Sequence, residues 1–146
     1  RWFETYPELI FQGFTADDLA RARATGRTAI FFGAQNPSCI EDDIGLVEIL
    51  YRLGLRFMQL SYNNQSLLAT GCYEAEDPGL TRMGREVVAE MNRVGIMCDL
   101  SHVGSKTSEE VILESKKPVC YSHCLPSGLK EHPRNKSDAL MRAVAE

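Results

Sequence analysis

The amino-acid sequence predicts an α/β fold built on a parallel sheet. Short apolar runs of strand length alternate with segments whose apolar residues recur at helical spacing. Four strand–helix units follow one another in this way, and such alternation is typical of parallel sheets. The units predict either a partial (β/α)8 TIM-type barrel, which takes about 250 residues when closed, or a doubly wound open sheet. No G-x-G-x-x-G motif follows any of the strands, which argues against the open sheet.

The first predicted strand is Thr28–Ala34, an unbroken apolar run of the kind found in strands that are buried on both faces. A helix over Ala16–Thr25 is predicted before it. Residues 1–14 are rich in aromatic side chains and predict only two short pieces, the end of a helix at Arg1–Thr5 and an extended segment at Leu9–Phe11. The βα units are therefore counted from Thr28.

Three further units follow the first strand. The polar loop at 63–79 is too long to be a bare connector, so it is a candidate lid or binding loop. In a barrel, all of the helices are expected on the outer face of one sheet whose strands follow chain order. The remaining predicted elements are helix Ile44–Leu53, strand Leu55–Leu60, helix Thr81–Val94, strand Ile96–Leu100, helix Lys106–Lys116, strand Pro118–Tyr121, a polar loop at 124–136 and a helix from about Ser137.

The last two strands each end in the dipeptide Ser-His, as Ser101-His102 and Ser122-His123. Parallel strands joined by a right-handed crossover end at the same rim, which is where α/β barrels place their active sites. Imidazoles from two adjacent strand ends can bind one metal ion. The alternative is that each histidine is a lone polar cap on a buried strand. Asp99, on the strand before His102, is interpreted as structural. The repetition one βα unit apart favours a metal or catalytic site at the two histidines.

Composition excludes several classes of partner. The 16 basic and 20 acidic residues give a net charge of −4, without the kind of basic block that binds nucleic acid. No apolar run approaches the roughly 20 residues needed to span a bilayer, so no membrane segment is expected in this chain. The five cysteines contain no C-x-x-C pair, and Cys98 and Cys120 fall in predicted strands. This cysteine usage favours a reducing compartment and hence a cytoplasmic location.

The ends of the sequence indicate a piece of a longer protein. The chain opens on Arg1 without an initiator Met, and it stops at Glu146 inside a helical pattern. We therefore expect residues 1–146 to be a piece of a longer protein.

Three ordered motifs lie in the second half of the sequence. The run GLTRMGREVVAEMNRVGIMCDLSHV is similar to a stretch of Gly-Leu-Thr, a glycine-bearing helix, Asn-Arg-x-Gly and Asp-Leu-(Ser/Ala)-His-Val. PVCYSH then looks like a strand that ends in Ser-His, and HPRN looks like an Arg-Arg-Asn segment. In this order and at these intervals, the motifs resemble the membrane (renal) dipeptidase family, peptidase family M19, over roughly residues 28–146.

The resemblance implies that residues 1–146 are a fragment of a single metallo-dependent hydrolase domain. That domain would be a zinc-dependent, amidohydrolase-like (β/α)8 barrel that hydrolyses the amide bond of dipeptides with a metal-activated water. In that family, the histidines that match His102 and His123 bind zinc. The arginine that matches Arg134 binds the substrate's carboxylate, for which its planar fork is suited. The family's first-strand His-x-Asp ligands and its catalytic Asp have no match in residues 1–146, so the catalytic residue is expected outside them.

Two positions depart from the family's pattern. Gln35, followed by Asn36 and Pro37, stands in place of the family's metal-bridging Glu. A neutral amide lacks the charge and the second equivalent oxygen with which a carboxylate bridges two cations. We therefore expect one zinc ion, or two with the second weakly held. Gln35 is a third candidate ligand, and its alternative role is to cap the next helix. Tyr62 replaces a substrate-contacting histidine, so it is expected either to bind substrate through its hydroxyl or to cover a strand end.

Together these observations predict a zinc-dependent dipeptidase that acts on a small peptide-like substrate. Two alternatives stay open. One is a different amide or lactam hydrolase with a single metal, and the other is a barrel that has lost catalysis and binds a peptide-like ligand. A homodimer is the assembly we consider for the full-length protein.

Overall fold

The structure is a computed structural model that describes all of residues 1–146. It contains the alternation of strands and helices that the sequence predicts. No helix in it is both long enough and apolar enough to cross a membrane. The elements are α1 (Trp2–Thr5), β1 (Ile10–Gln12), α2 (Asp17–Thr25), β2 (Thr28–Ile30), β3 (Phe32–Ala34), a 3-10 helix (Pro37–Ile40), α3 (Gly45–Arg52), β4 (Leu55–Gln59), α4 (Arg82–Val94), β5 (Met97–Asp99), α5 (Ser105–Glu114), β6 (Val119–Cys120) and α6 (Asp138–Ala145).

The central sheet has four strands in the order β3-β4-β5-β6, and every neighbouring pair is parallel. Strands that follow chain order and run parallel bring all of their carboxyl ends to one rim. The register places Phe57 of β4 beside Met97 of β5, and Gln59 beside Asp99. The predicted parallel sheet in chain order is therefore confirmed from Phe32 onward.

The prediction of one continuous strand over Thr28–Ala34 is wrong, because the strand is interrupted at Phe31. The part before the break, β2, pairs with β1 in a separate two-stranded parallel sheet, and only β3 joins the central sheet. A Cβ on Gly13 would lie 2.6 Å from the nearest atom of the Phe31 ring. The Phe31 ring also packs edge-on against the Phe57 ring, with the ring centroids 6.4 Å apart. The ring therefore occupies the space beside a residue without a side chain, and the strand is interrupted at Phe31. Both halves are apolar, so hydrophobicity alone does not reveal the interruption.

The helices that follow the strands lie on one face of the sheet. Helices α3, α4, α5 and α6 pack against one another in chain order, and their apolar sides form the core with alternate strand residues such as Met58 and Cys98. The other alternate residues, including Phe57, Gln59 and Asp99, line an open cleft on the opposite face. A sheet covered by helices on one face is an arc of a barrel, whereas a doubly wound sheet carries helices on both.

The long loop at 63–79 is a fixed part of the rim. Thr70, at its centre, is fully buried. The Cys72 N–H donates to the His102 carbonyl at 2.9 Å, and the Gly104 N–H donates to the Thr70 carbonyl at 2.9 Å. The loop is thus hydrogen-bonded to the rim, and its role as a lid or a binding loop stays a prediction.

Asp77, in the same loop, caps helix α5. The N-cap residue of that helix, Gly104, has no side chain with which to accept a hydrogen bond. The Asp77 carboxylate takes over this role: it accepts from the Lys106 N–H at 2.7 Å and from the Thr107 hydroxyl at 3.2 Å. Because α5 begins just after His102, this cap also ties the loop to the rim.

Replacing Asp77 by alanine is expected to lower the free energy of unfolding of the full-length protein by about 1–2 kcal/mol, because the first turn of α5 loses its acceptor. Chemical denaturation measures the change. Asp42→Ala removes an exposed carboxylate that accepts no hydrogen bond, and this control should stay within about 0.5 kcal/mol of the wild type. Equal losses in the two variants would contradict the capping role.

Candidate metal centre

His102 and His123 meet at the carboxyl rim of the sheet. His102 follows β5 and His123 follows β6, and their Nε2 atoms are 2.8 Å apart. The ring centroids are 4.9 Å apart. His102 is buried, with 3% of its surface exposed, whereas His123 is half-buried. The predicted adjacency of the two imidazoles is confirmed, and His123 lines the open cleft.

Each of the two rings has a hydrogen-bond partner on its outer side. The Nδ1 of His102 lies 2.7 Å from Asn63 Oδ1, and the Nδ1 of His123 lies 2.7 Å from Ser122 Oγ. An amide oxygen only accepts, and the Ser122 hydroxyl donates to Asp99, so these partners suit rings that carry their proton on Nδ1. In that tautomer each Nε2 keeps a lone pair with which it could bind a cation. An Nδ1–H bound to an outer acceptor is typical of a metal-ligating histidine.

Asp99 connects the two strand ends. Its Oδ2 accepts from the Ser122 hydroxyl at 2.5 Å and from the Gln59 amide at 3.0 Å. Its Oδ1 accepts from the N–H groups of Ser101 at 3.0 Å and Ser122 at 3.1 Å. Burial alone would raise the pKa of this carboxyl, but the hydrogen bonds outweigh it and hold the pKa below its ordinary value. An ionised Asp99 is therefore the acceptor that fixes the Ser122 hydroxyl.

The repeated Ser-His dipeptide has a mutual function in the structure. Ser101 Oγ accepts from the N–H of His123 at 3.1 Å, and it lies 3.3 Å from Ser122 Oγ. The serine of the first dipeptide thus holds the backbone of the second, while Ser122 orients the ring of its own neighbour. Each strand end needs the other to keep its geometry.

His102 is neutral at neutral pH. Burial lowers the pKa of its imidazole, and the positive charge of Arg134 lowers it further, to about 4. The ring therefore need not lose a proton before it binds a cation at neutral pH.

Gln35 reaches the same rim, with its Nε2 3.0 Å from the Nε2 of His123. The alternative role as a helix cap is filled by its neighbour Asn36, whose Oδ1 accepts from the Ser38 N–H at 2.8 Å. Rotating the Gln35 amide by a half turn would place its oxygen where its nitrogen now lies. The amide is therefore placed to offer an oxygen to a cation, and its role as a ligand stays a prediction.

Tyr62 lies flat on the buried histidine. Its ring stacks on that of His102 with the centroids 4.2 Å apart and the planes 24° apart. The residue remains 42% exposed. The side chain thus covers the strand end, which is one of the two roles predicted for it, and its exposed side leaves substrate binding as a prediction.

Arg134 is a half-buried cation without an anionic partner. It forms no ion pair, and its Nε is buried without a hydrogen-bond partner. Its backbone N–H donates to Nδ1 of the exposed His132 at 3.2 Å. Its charge contributes to the low pKa of His102, and two residues further on Lys136 donates a hydrogen bond to the carbonyl of Val103, the neighbour of His102. An anionic ligand would complete the interactions of Arg134.

The donors in residues 1–146 form part of a coordination sphere. No group of three or more His, Cys, Asp or Glu side chains in the chain is placed to hold a metal ion. Two convergent imidazoles with oriented outer partners nevertheless suit a transition metal such as zinc, which commonly takes four ligands. His102, His123 and Gln35 are the side chains of this chain that fit such an ion.

A parallel βα arc that brings two imidazoles together at its carboxyl rim is the architecture of metal-dependent α/β-barrel enzymes. Residues 2–146 match the membrane dipeptidase family, peptidase family M19. The chain belongs to this family, which confirms the resemblance seen in the sequence and the partial (β/α)8 barrel. Membership also implies a metal cofactor.

Relatives and solved structures agree with this assignment. Dipeptidase verJ of Clonostachys rogersoniana is 34% identical over 140 residues, which are 94% of this chain and 36% of verJ. An amidohydrolase from Pseudomonas aeruginosa superposes with a TM-score of 0.92 at 59% identity, over 98% of this chain and 44% of that one. A metallopeptidase from Rhodobacter sphaeroides, liganded with a phosphinate mimic of the dipeptide L-Ala-D-Ala, has a TM-score of 0.88 at 25% identity, over 98% of this chain and 43% of its own. The chain spans about a third of the curated relatives that it matches.

Proposed function

We propose that the full-length protein is a zinc-dependent dipeptidase. The observation that carries the proposal is the convergence of His102 and His123, whose Nε2 atoms meet at 2.8 Å with both Nδ1 atoms bound to outer partners. Membership of the family and the likeness to dipeptidase verJ support a peptidase activity. The catalytic residue is proposed to lie outside residues 1–146.

Zinc bound to the two histidines would supply a Lewis acid that activates water and polarises an amide carbonyl. The chain's own residues prepare the site for it. Asn63 and Ser122 hold the two rings with their Nε2 lone pairs turned inward. Arg134, which has no anionic partner, is proposed to bind the carboxylate of a small peptide-like substrate in a bidentate manner.

The charge at the rim favours a second candidate function, that of an amide or lactam hydrolase with a single metal. The Nε2 of the neutral Gln35 side chain lies 3.0 Å from the Nε2 of His123. A neutral amide at this position binds a second cation more weakly than a carboxylate would. Tyr62, stacked on His102, also changes the group that meets a substrate. These two side chains are the reason to test substrates other than dipeptides.

Metal analysis and hydrolysis assays of the purified full-length protein test both functions. We expect at least one zinc ion per chain and hydrolysis of members of a dipeptide library. Zinc with hydrolysis only of other amides or lactams would favour the second candidate. A protein that holds no zinc, and that added zinc does not activate, would instead be a barrel that binds peptide-like ligands without catalysis.

Changing Gln35 to Glu is expected to raise the zinc content of the full-length protein toward two ions per chain. The change restores a carboxylate that can bridge two cations beside His123. Elemental analysis after gel filtration measures the ratio. Asn64→Asp adds the same charge at an exposed loop position, and this control should leave the ratio unchanged. An unchanged ratio in Gln35→Glu would show that Gln35 has no role at the metal.

We also propose that the full-length protein is a cytoplasmic homodimer. All five cysteines are unpaired, which suits a reducing compartment. Light scattering of the purified protein tests the assembly, and a monomeric mass would refute that part of the proposal.

A further inference from the structure

Lys136 is the largest fully buried side chain of the chain, with 1% of its surface exposed. Its Nζ donates a hydrogen bond to the carbonyl of Val103, the residue after His102. The ammonium also lies 5.7 Å from the centre of the Tyr121 ring. It forms no ion pair. A lysine is thus buried behind the rim without a carboxylate to neutralise it.

Such a lysine does not serve stability well. Taking an ammonium out of water is costly unless it is paired, and burial accordingly lowers the pKa of Lys136. A methionine of similar length would fill the same space without that cost. The presence of a lysine therefore points to a task that its hydrogen bond to Val103 performs.

The backbone of Lys136 closes the loop at 124–136. Its N–H donates to the Leu125 carbonyl at 3.1 Å, and its carbonyl accepts from the Ser127 N–H at 2.8 Å and the Ser127 hydroxyl at 3.0 Å. Asn135 adds a second closure, since its Oδ1 accepts from the Leu125 N–H at 3.3 Å. The two ends of the loop are thereby joined, and the side chain of Lys136 ties the joined ends to the rim.

Arg134 sits two residues before this tie. Its side chain makes no hydrogen bond or ion pair that would hold it in place, and its Nε is buried without a partner. Its backbone is bonded only within the loop, to His132. The position of the guanidinium therefore depends on the loop closure and on the bond from Lys136 to Val103.

We infer that Lys136 is a positioning residue. Its bond to the carbonyl of Val103 fastens the loop at 124–136 to the rim. The fastened loop holds Arg134 beside the histidine pair, where it receives the substrate's carboxylate. This inference rests on the proposed function. Lys136 itself is buried beneath the rim and does not touch substrate.

Lys136→Met in the full-length protein tests the inference. We expect the KM for dipeptides to rise about tenfold with kcat changed less than about twofold, because ground-state and transition-state binding of the carboxylate are lost together. Hydrolysis of dipeptide amides, which lack the carboxylate, should not change. Thermal stability should stay the same or rise, since an unpaired buried charge is replaced by an apolar side chain of similar length. Lys130→Met, at an exposed position in the same loop, should behave as the wild type.

Two further measurements separate positioning from a structural role. Combining Lys136→Met with Arg134→Ala should raise KM no further than Arg134→Ala alone, because both changes remove the same interaction. Hydrogen exchange of the metal-free protein should become faster in residues 124–136 and stay unchanged in the strands. A lowered melting temperature with equal losses on dipeptides and their amides would overturn the inference, as would unchanged KM and exchange. If the wild-type protein hydrolyses no dipeptide, the proposed function is refuted instead. Hydrogen exchange in residues 124–136 then decides whether Lys136 fastens this loop to Val103.

Discussion

Replacing His102 or His123 by alanine is expected to remove most of the bound metal from the full-length protein and to lower dipeptide hydrolysis by at least about a thousandfold. Each change leaves a single imidazole of this chain at the rim, where two now meet at 2.8 Å. The free energy of unfolding of the metal-free protein should fall by no more than about 1–2 kcal/mol, because neither ring belongs to the apolar core.

Elemental analysis and kinetic assays of the same preparation measure the two effects. His132→Ala is the matched control, because it removes an exposed imidazole from a neighbouring loop. We expect this variant to keep its metal. Full metal content in His102→Ala or His123→Ala would mean that the pair is a hydrogen-bonded feature of the rim and no metal site.

Replacing Asp99 by alanine is expected to lower the free energy of unfolding by about 3–5 kcal/mol, because four donors, two of them buried, lose their acceptor at once. These donors are the N–H groups of Ser101 and Ser122, the Ser122 hydroxyl and the Gln59 amide. The metal content should fall as well, since the Ser122 hydroxyl no longer fixes the ring of His123. Chemical denaturation and elemental analysis measure the two changes.

Asp43→Ala is the control for Asp99. Its exposed carboxylate accepts one backbone hydrogen bond, from Gly45 at 2.8 Å, so the loss should be about 1 kcal/mol. If Asp99→Ala costs no more than Asp43→Ala, the network around Asp99 does not hold the two strand ends together.

The parts of the fold that follow from local patterns could be predicted. Strands β4, β5 and β6 are apolar runs between helical segments, and the structure places each within its predicted range. Helix α4 is the clearest case: the Thr81 hydroxyl accepts from the Gly84 N–H at 2.9 Å, and Gly95 ends the helix in a left-handed conformation. The meeting of His102 and His123 could also be predicted, because parallel strands in chain order leave their ends side by side.

The parts of the site that depend on contacts between distant residues could not be predicted. Asn63 binds His102 from 39 residues away, and in the sequence it is one of several polar residues after a strand. Asp99 follows the alternation of its strand, but nothing local shows that it accepts from both strand ends. Lys136 lies in a polar loop where lysine is ordinarily exposed, and only the packing of that loop against Val103 buries it.

His102 and Asn63, whose side chains are hydrogen-bonded to each other, both have a left-handed backbone, with φ of 69° and 65°. This conformation costs a residue with a Cβ about 1 kcal/mol, whereas glycine adopts it freely. Glycine at either position would relax the backbone and abolish the imidazole or its acceptor. Selection for thermostability in laboratory evolution would therefore enrich glycine variants that have lost the candidate metal site. A thermostability screen of this protein should therefore also measure the metal content of every variant at position 63 or 102.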